Sequence, residues 1–423
     1  MNTKLQQIFY DLRYQPVVTW ITLVGTTLSI FLIMVVVMMQ QVSVIPFAPE
    51  SCRPRLLLGA YLHITSTDPN EQYDSSAGLS YESAKKLYGN LDGVEHTSYM
   101  MIGTETGSVK GPTEDAFEVG FRKADAEFFK IYDHQLVEGR YYTPEEADAM
   151  RPLAVITESV ARRLFGTATK TGNTFLFNHE PYTVAGVIKD NSKLALTGGG
   201  DIFLPTGPND PDMNYDERFG SVGVSLLVKE GVDFEYVRDQ VKARYAALDT
   251  ELASENNKTV YHEAPFNQET IASGLGGSNV TPSSKEENRG RMVLYTLLLL
   301  VPAINLSSML QSRLRRRVSE IGVRRAFGCT RSRIITDIIA ENFIITIVGG
   351  IIGLALGIAF ALTYNGLFDT VDDMGITSPT LSVLLNWRIT LSALAACFTL
   401  NLISAALPAW QASRLNPVNA IKA

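Results

Sequence analysis

The longest uncharged apolar segment of the chain, Val17 to Met39, limits its possible folds more than any other feature. It holds 23 residues without a charged side chain. As a helix it would be about 34 Å long at about 1.5 Å per residue, enough to cross a hydrocarbon core of about 30 Å. A cleaved signal peptide would instead have an apolar region of about 7 to 15 residues before a small-x-small site, whereas this run continues into Gln40 and Gln41. The segment therefore predicts a transmembrane helix over residues 17–39.

Three further apolar segments lie in the last third of the chain, at residues 291–310, 334–364 and 387–408. The first of these contains Pro302, which should kink a helix because proline removes a backbone hydrogen bond. Together with the N-terminal segment they predict a membrane protein with four transmembrane α-helices. Residues 40–290, between the first and second predicted helices, form a large insert.

The arginines set the predicted orientation, because short cytoplasmic loops retain Lys and Arg. The loop at residues 311–333 has eight arginines opposed by Glu320 alone, whereas the loop at residues 365–386 has three aspartates and no Lys or Arg. We therefore expect residues 1–16, 311–333 and 409–423 to be cytoplasmic, and the insert and the 365–386 loop to lie on the other side. In a bacterium this predicts the inner (cytoplasmic) membrane, with the insert in the periplasm.

The insert alternates strand-like and helix-like segments, which indicates a mixed α/β domain. Strands are predicted at residues 55–66, 152–156, 174–177, 182–188 and 221–229, and helices at residues 81–91, 158–165 and 234–248. The turn Asn178-His179-Glu180-Pro181 should join the strands on either side of it into a hairpin.

Charge and composition exclude some functions. The chain has 37 basic and 44 acidic residues, and the acidic excess lies in the insert, so no long soluble segment offers the excess of cations that nucleic-acid binding needs. No Gly-Lys pair occurs anywhere, and a P-loop ATPase motif requires one. Any work driven by ATP would then need a partner chain. The three cysteines form no recognisable pattern, and whether Cys52 pairs with another chain stays open.

One enzymatic interpretation rests on two short motifs. Ser83-x-x-Lys86 and Lys170-Thr171-Gly172 are two of the three motifs of penicillin-recognising serine enzymes, with Ser83 as nucleophile, but the Ser-Asp-Asn motif is missing. A solvated helix surface is the favoured interpretation of Ser83 and Lys86. The histidines show no metal-ligand spacing with each other or with cysteine, so no metal site is predicted; they are His63, His96, His134, His179 and His262.

Three features of the C-terminal part suggest contact surfaces. Gly349, Gly353 and Gly357 lie on one helix face, where a neighbouring backbone can approach closely, either as static packing or as a sliding contact. Ser319 to Gly328 is predicted to be a short helix with Ser319 as its cap, Gly328 as its end, and Ile321, Val323 and Phe327 as an apolar surface suited to a partner's groove. Asp337 should pair with Arg333 one turn away. The intramembrane Glu341 is expected to make a polar contact between helices, with a proton relay as the alternative.

Several of these segments closely resemble MacB/FtsX-type ABC transporter permeases. In the C-terminal part the resemblance rests on Asn305-Leu306, Arg313 to Arg317, Ser319 to Gly328, Glu341, Gly349-Gly350 with Gly353 and Gly357, and Leu407 to Ile421. In the insert it rests on Glu138 to Thr143, Ala154 to Ser159, Ala161 to Gly166 and Tyr182 to Ile188, which resemble the MacB-like periplasmic core domain.

The resemblance implies a non-catalytic permease subunit that forms a homodimer and binds a separate ABC ATPase subunit, which would hold the ATP and Mg. The family's coupling helix maps onto ten consecutive residues: Ser319, Glu320, Ile321, Gly322, Val323, Arg324, Arg325, Ala326, Phe327 and Gly328. The first and second transmembrane helices would carry motion to the periplasmic domain. Export of a substrate, lipoprotein extraction and control of a cell-wall hydrolase by a periplasmic partner all stay open. A membrane-anchored periplasmic sensor is the alternative function.

Overall fold

The computed structural model describes residues 16–70, 73–112, 115–167, 171–191, 195–273 and 318–363, and only individual positions between 279 and 311 and between 391 and 410. The described residues belong to two compact units. One unit contains Val42–Ser284, which we call the insert domain. The other contains the chain up to Gln41 and the segments Lys285–Tyr364 and Thr380–Ala423.

The helices of the described residues are α1 (Pro16–Val44), α2 (Tyr81–Tyr88), α3 (Phe128–Ile131), α4 (Pro144–Asp148), α5 (Glu158–Phe165), α6 (Phe234–Leu252), α7 (Gln268–Ser273), α8 (Val318–Ala326) and α9 (Arg331–Thr363). The strands are β1 (Leu56–Gly59), β2 (Tyr61–Ser66), β3 (Asp74–Leu79), β4 (Val94–Met101), β5 (Glu105–Lys110), β6 (Phe117–Ala124), β7 (Leu136–Gly139), β8 (Leu153–Thr157), β9 (Thr174–Phe177), β10 (Glu180–Ile188), β11 (Ile202–Pro205), β12 (Phe219–Gly220), β13 (Val222–Val228), β14 (Asn257–Thr259) and β15 (Phe266–Asn267).

The strands of the insert domain form one mixed sheet in the order β11-β8-β10-β9-β5-β6-β4-β13-β3-β2-β14. Strands β8 and β10 are parallel, as are β11 and β6, and the other pairings are antiparallel. Because β11 pairs with both β8 and β6, six strands of the sheet close into a hydrogen-bonded circuit. The mixed α/β architecture predicted for the insert is thus confirmed.

The core of the insert domain lies on both faces of β13. All seven residues of this strand are buried, and consecutive side chains on a strand point to opposite faces. One face packs against helices α2 and α6, through Val222, Val224, Leu226, Val228, Ala84, Leu87, Val237 and Val241. On the other face Leu227 belongs to a cluster with Phe128 and Tyr132, and the Tyr132 hydroxyl lies 2.7 Å from Ser225 Oγ.

Most predicted elements of the insert are present, with shifted boundaries. The predicted hairpin is β9–β10, but Asn178 and His179 alone form its turn, with φ angles of 47° and 74°. Two-residue turns with positive φ at both positions match the twist of the paired strands. Strand β10 therefore begins at Glu180, two residues earlier than predicted, and Pro181 lies near the start of the strand, where a missing N–H is tolerated.

Helix α1 contains the first predicted membrane segment, and helix α9 contains residues 334–363 of the third. Helix α1 extends to Val44, five residues past the predicted end at Met39. Among the described residues, one stretch is both long and apolar enough to cross a membrane, Arg331–Phe360 of α9. The predicted segments 291–310 and 387–408 lie outside the described residues except at isolated helical positions.

Candidate functional site

The short helix α8 and the turn after it form a compact helix–turn–helix with the start of α9. Gly328, with φ of 90°, ends the helix as predicted. The N–H of Cys329 donates to the Arg324 carbonyl and the N–H of Gly328 donates to the Arg325 carbonyl, both at 3.0 Å, which is the Schellman pattern of a glycine-terminated helix. Thr330 then caps α9, because its Oγ1 accepts from the N–H of Arg333 at 3.3 Å.

The apolar residues of α8 and of the turn after it divide between two sides. Ile321 is buried, only 7% exposed, against Ile334 and Ile338 at the start of α9. Val323 is 44% exposed, and Phe327 is 89% exposed. The predicted common surface of Ile321, Val323 and Phe327 is therefore wrong, because residues two apart on a helix do not share a face. Ile321 anchors α8 to α9, and the exposed surface consists of Val323 and Phe327.

The other predicted coupling residues lie on or beside this helix. Ser319 is the second residue of α8 and not its cap, since the helix already includes Val318. Gly322 is buried, and Ala326 and Gly328 are exposed. The side chain of Glu320 lies outside the described part of the chain.

Positive charge surrounds the exposed apolar surface. Arg324, Arg331 and Arg333 are exposed, and Arg325 is partly buried. The Nε of Arg333 lies 3.9 Å from Asp337 Oδ1, which is the predicted ion pair along the helix. Aromatic residues and arginine are enriched in protein interfaces, so this arrangement is suited to docking a partner rather than to chemistry.

The predicted glycine face of α9 meets α1. A Cβ added at Gly349 would lie 3.1 Å from Thr26 Cγ2, and one added at Gly353 would lie 2.8 Å from the Thr27 carbonyl oxygen. Further along, Phe31 and Phe360 make an edge-to-face contact with ring centroids 5.6 Å apart. The two backbones thus approach closely at positions without side chains. Gly357 is also buried, and the side chain of Glu341 is not among those described.

Of the two short motifs behind the serine-enzyme interpretation, the structure describes Ser83, Lys86, Thr171 and Gly172. Ser83 is 8% exposed, so it does not lie on the solvated surface expected of it. Its N–H donates to the N-capping hydroxyl oxygen of Ser80 at 3.1 Å. Lys86 pairs with Glu251 across to α6. Lys170 lies outside the described residues.

Two histidines meet although their spacing in the sequence gave no sign of it. His63 Nδ1 lies 2.8 Å from His262 Nε2, and the other nitrogen of His63 lies 2.5 Å from Asp74 Oδ1. The described residues nevertheless contain no group of three or more His, Cys, Asp or Glu side chains arranged to hold a metal ion. His134 is buried and its Nδ1 lies 3.1 Å from Asn191 Oδ1, and burial lowers its pKa to about 4.

The sequence reasoning also missed three charged residues that are fully enclosed in the insert domain. Glu50, Arg53 and Arg122 are each at most 1% exposed. Nothing in their local sequence distinguishes them from surface charges, since their partners lie up to 148 residues away.

Two family models match the chain. The MacB-like periplasmic core domain matches residues 19–244, and the FtsX-like permease C-terminal domain matches residues 292–417. The first match covers more than half of the chain.

Curated relatives match over most of the chain at low identity. The uncharacterized ABC transporter permease YknZ of Bacillus subtilis is 21% identical, over 78% of this chain and 77% of YknZ. The macrolide export ATP-binding/permease protein MacB of Bdellovibrio bacteriovorus is 24% identical over 67% of this chain, and the pyoverdine export ATP-binding/permease protein PvdT of Pseudomonas aeruginosa is 23% identical over 70% of it. The chain spans only 41% of each of these two longer relatives.

Solved structures of two extracytoplasmic domains also match. The extracellular domain of YknZ aligns with 48% of this chain and 100% of its own length, with a TM-score of 0.32 and 15% identity. The periplasmic region of MacB from Actinobacillus actinomycetemcomitans aligns with 52% of this chain and 94% of its own length, with a TM-score of 0.35 and 16% identity.

Proposed function

The chain belongs to the MacB/FtsX-type family of ABC transporter permeases, and we propose that it transmits ATP-driven motion of a partner ATPase to its periplasmic domain. The observation that carries this proposal is the division of α8 into an anchored and an exposed side. Ile321 is buried against α9, whereas Phe327 on the exposed side is available to a partner. A partner that binds Phe327 would therefore move α8 and α9 together.

The proposed path continues along the membrane helices. Helix α9 packs on α1 through Gly349 and Gly353. Helix α1 runs without interruption to Val44, so its last three residues belong to the insert domain. A partner can drive such a change only if it binds the two conformations of the permease with different affinity. ATP binding and hydrolysis in the partner would supply that difference.

The partner in this proposal is a separate ABC ATPase that holds the ATP and Mg, and the permease acts as a homodimer in the bacterial inner membrane. The arginine-rich loop at residues 311–333 supports a cytoplasmic position for α8. The domain named as periplasmic in the family model then lies across the membrane from the ATPase. The names of MacB and PvdT, which describe macrolide and pyoverdine export, favour export as the work performed.

The test is co-purification of the detergent-solubilised chain from its native host, with mass spectrometry of the bound proteins and an assay of ATPase activity. We expect an ABC ATPase to accompany the wild type and to be lost from Glu320→Lys, which reverses a charge on α8. Glu118→Lys is the matched control, because Glu118 is an exposed carboxylate on β6 of the insert domain. Absence of any ATPase, under conditions that preserve a known transporter complex, would count against the proposal.

A second variant, Gly322→Arg, tests the contact between α8 and α9 without changing the charge of Glu320. Gly322 is buried, so Gly322→Arg should displace α8 from α9 and leave the insert domain folded. Normal ATP-dependent change in both the Gly322→Arg and Glu320→Lys variants would show that α8 is not the coupling element.

A further inference from the structure

The chain folds back on itself within ten residues of the end of α1. Arg53 Nη1 donates to the carbonyl of Ile45, the first residue after the helix, at 2.9 Å. The guanidinium group of Arg53 lies over the Phe47 ring, 4.2 Å from its centroid. Both side chains are enclosed, with Arg53 1% and Phe47 9% exposed. Arg53 thus holds the backbone that leaves α1.

Glu50 connects Arg53 to a distant loop. Its Oε2 accepts from Nε and Nη2 of Arg53, both at 2.6 Å. Its Oε1 accepts from the N–H and Oγ1 of Thr197 at 2.7 and 2.8 Å and from the N–H of Gly198 at 2.6 Å. A buried carboxylate is stable only when such donors replace its hydration. Gly198 leaves room for it, since a Cβ there would lie 3.1 Å from Glu50 Cγ and 2.5 Å from a Tyr132 ring carbon.

Arg122 of β6 attaches the same loop to the sheet. Its guanidinium group donates to the carbonyls of Gly199 and Leu196 at 3.0 and 3.1 Å, and to the carbonyl of Met101 on β4 at 2.9 Å. Burial lowers the pKa of Arg122 to about 10, so the group keeps its charge at neutral pH. Met101, Arg122, the loop at 195–200, Glu50, Arg53 and Ile45 therefore form one continuous series of polar contacts.

Charge-assisted hydrogen bonds of this kind are short, directional and roughly twice as strong as neutral ones. Displacing Ile45 relative to the sheet would stretch these hydrogen bonds and expose or unpair a buried charge, which is costly. A peptide linker without these contacts would absorb a displacement of the helix end instead of passing it on.

We propose that Glu50, Arg53, Thr197 and Arg122 form a mechanical clamp that makes the end of the first transmembrane helix and the periplasmic sheet move together. This inference rests on the proposed function and adds the residues that carry the motion into the domain. They act as positioning residues, and none contacts a nucleotide or a substrate.

The experiment uses the full chain reconstituted with its partner ATPase. A spin label is introduced as an unnatural amino acid at Glu180, an exposed position on β10, and distances between the two copies are measured with and without ATP. Glu50→Gln and Arg53→Met each remove one charge and keep most of the side-chain volume. We expect ATP hydrolysis to continue and the ATP-dependent shift in the distance populations to weaken by about twofold to thirtyfold, the range typical of altered coupling.

Asp210→Asn is the matched control. Asp210 is a buried carboxylate of the same domain that pairs with Lys123 Nζ at 3.0 Å, outside the clamp, so this variant loses a comparable ion pair but should keep the full distance shift. Thr197→Val removes a single hydroxyl from Glu50 and should weaken the shift with the fold retained. It therefore carries the test if Glu50→Gln fails to fold.

The outcomes separate the clamp from the function on which it rests. A wild type without any ATP-dependent shift overturns both. A wild type that shifts, together with Arg53→Met, Glu50→Gln and Thr197→Val variants that shift equally, overturns the clamp alone. An equal loss in Asp210→Asn would mean that general destabilisation of the domain, and not the clamp, is responsible.

Discussion

Replacing Phe327 with alanine should weaken binding of the partner ATPase without weakening the fold of the permease. The side chain is 89% exposed, so almost all of its apolar surface is available to a partner. Burying a phenylalanine side chain is worth about 1.5–3 kcal/mol, and each 1.4 kcal/mol is about tenfold in affinity. Phe327→Ala should therefore raise the dissociation constant about tenfold to 150-fold.

The assay is a titration of purified ATPase onto the permease held in lipid nanodiscs. The free energy of unfolding of Phe327→Ala, obtained from thermal unfolding, should match that of the wild type to within about 0.5 kcal/mol, as is usual for exposed positions. Phe343→Ala is the matched control, since Phe343 is also an exposed phenylalanine, 46% exposed, but lies within α9. Ile321→Ala should behave differently again, because Ile321 is buried and its loss should reduce both stability and affinity.

The reasoning would be refuted by an affinity of Phe327→Ala equal to that of the wild type. It would also be refuted by an equal loss in Phe343→Ala, because the effect would then come from the helix or its lipid environment and not from a docking contact.

Three further predictions follow from the packing and the pKa values. Gly353→Ala places a methyl group 2.8 Å from the Thr27 carbonyl oxygen and should destabilise the helix pair by about 1–3 kcal/mol, seen as a lower melting temperature in detergent. Gly290→Ala is the control and should leave the melting temperature unchanged, because a Cβ at Gly290 would lie within 4 Å of no atom of the described residues. Burial, assisted by the charges of two nearby carboxylates, raises the pKa of Cys52 to about 12. Alkylation of this thiol, measured by mass spectrometry, should therefore be slow at pH 8. Its rate should still increase above pH 9, where the rate of an ordinary thiol levels off. Burial lowers the pKa of His134 from 6.5 to about 4. Its protonation therefore favours the unfolded state, and the free energy of unfolding should fall by about 3 kcal/mol as the pH drops from above 6.5 to below 4. His134→Asn should remove this part of the pH dependence of the free energy of unfolding, and an unchanged slope would contradict the prediction.

The elements that the sequence predicted well are those whose signal is local. Strand β8 and helix α5 follow each other directly, and a short apolar run followed by a helical pattern indicates both without knowledge of the partners. The boundary error in β10 arose from Pro181, which usually marks the outside of a strand. Here Pro181 is the second residue of β10 and lies opposite Leu176 of β9, a pairing that the sequence of β10 alone does not reveal.

The site could be predicted only in part, for two different reasons. The separation of Ile321 from Val323 follows from helical spacing and was available from the sequence, since the two residues cannot share a helix face. The contact between His63 and His262 was not available, because it joins residues 199 apart. The same is true of Glu50 and Arg122, whose burial depends on a loop that arrives from a distant part of the sheet.

In the proposed mechanism, docking through Phe327 comes before transmission through Glu50, and this order predicts the behaviour of a double variant. The Phe327→Ala defect is one of binding, so saturating ATPase should overcome it, whereas the Glu50→Gln defect lies beyond the bound state and should persist. At saturating ATPase the double variant should therefore show the same reduced periplasmic shift as Glu50→Gln alone. If the two residues instead acted on one shared contact, their effects would be strongly non-additive at every ATPase concentration. Measurement of the distance shift across an ATPase titration distinguishes these cases, because only a series of separate steps allows one defect to disappear while the other remains.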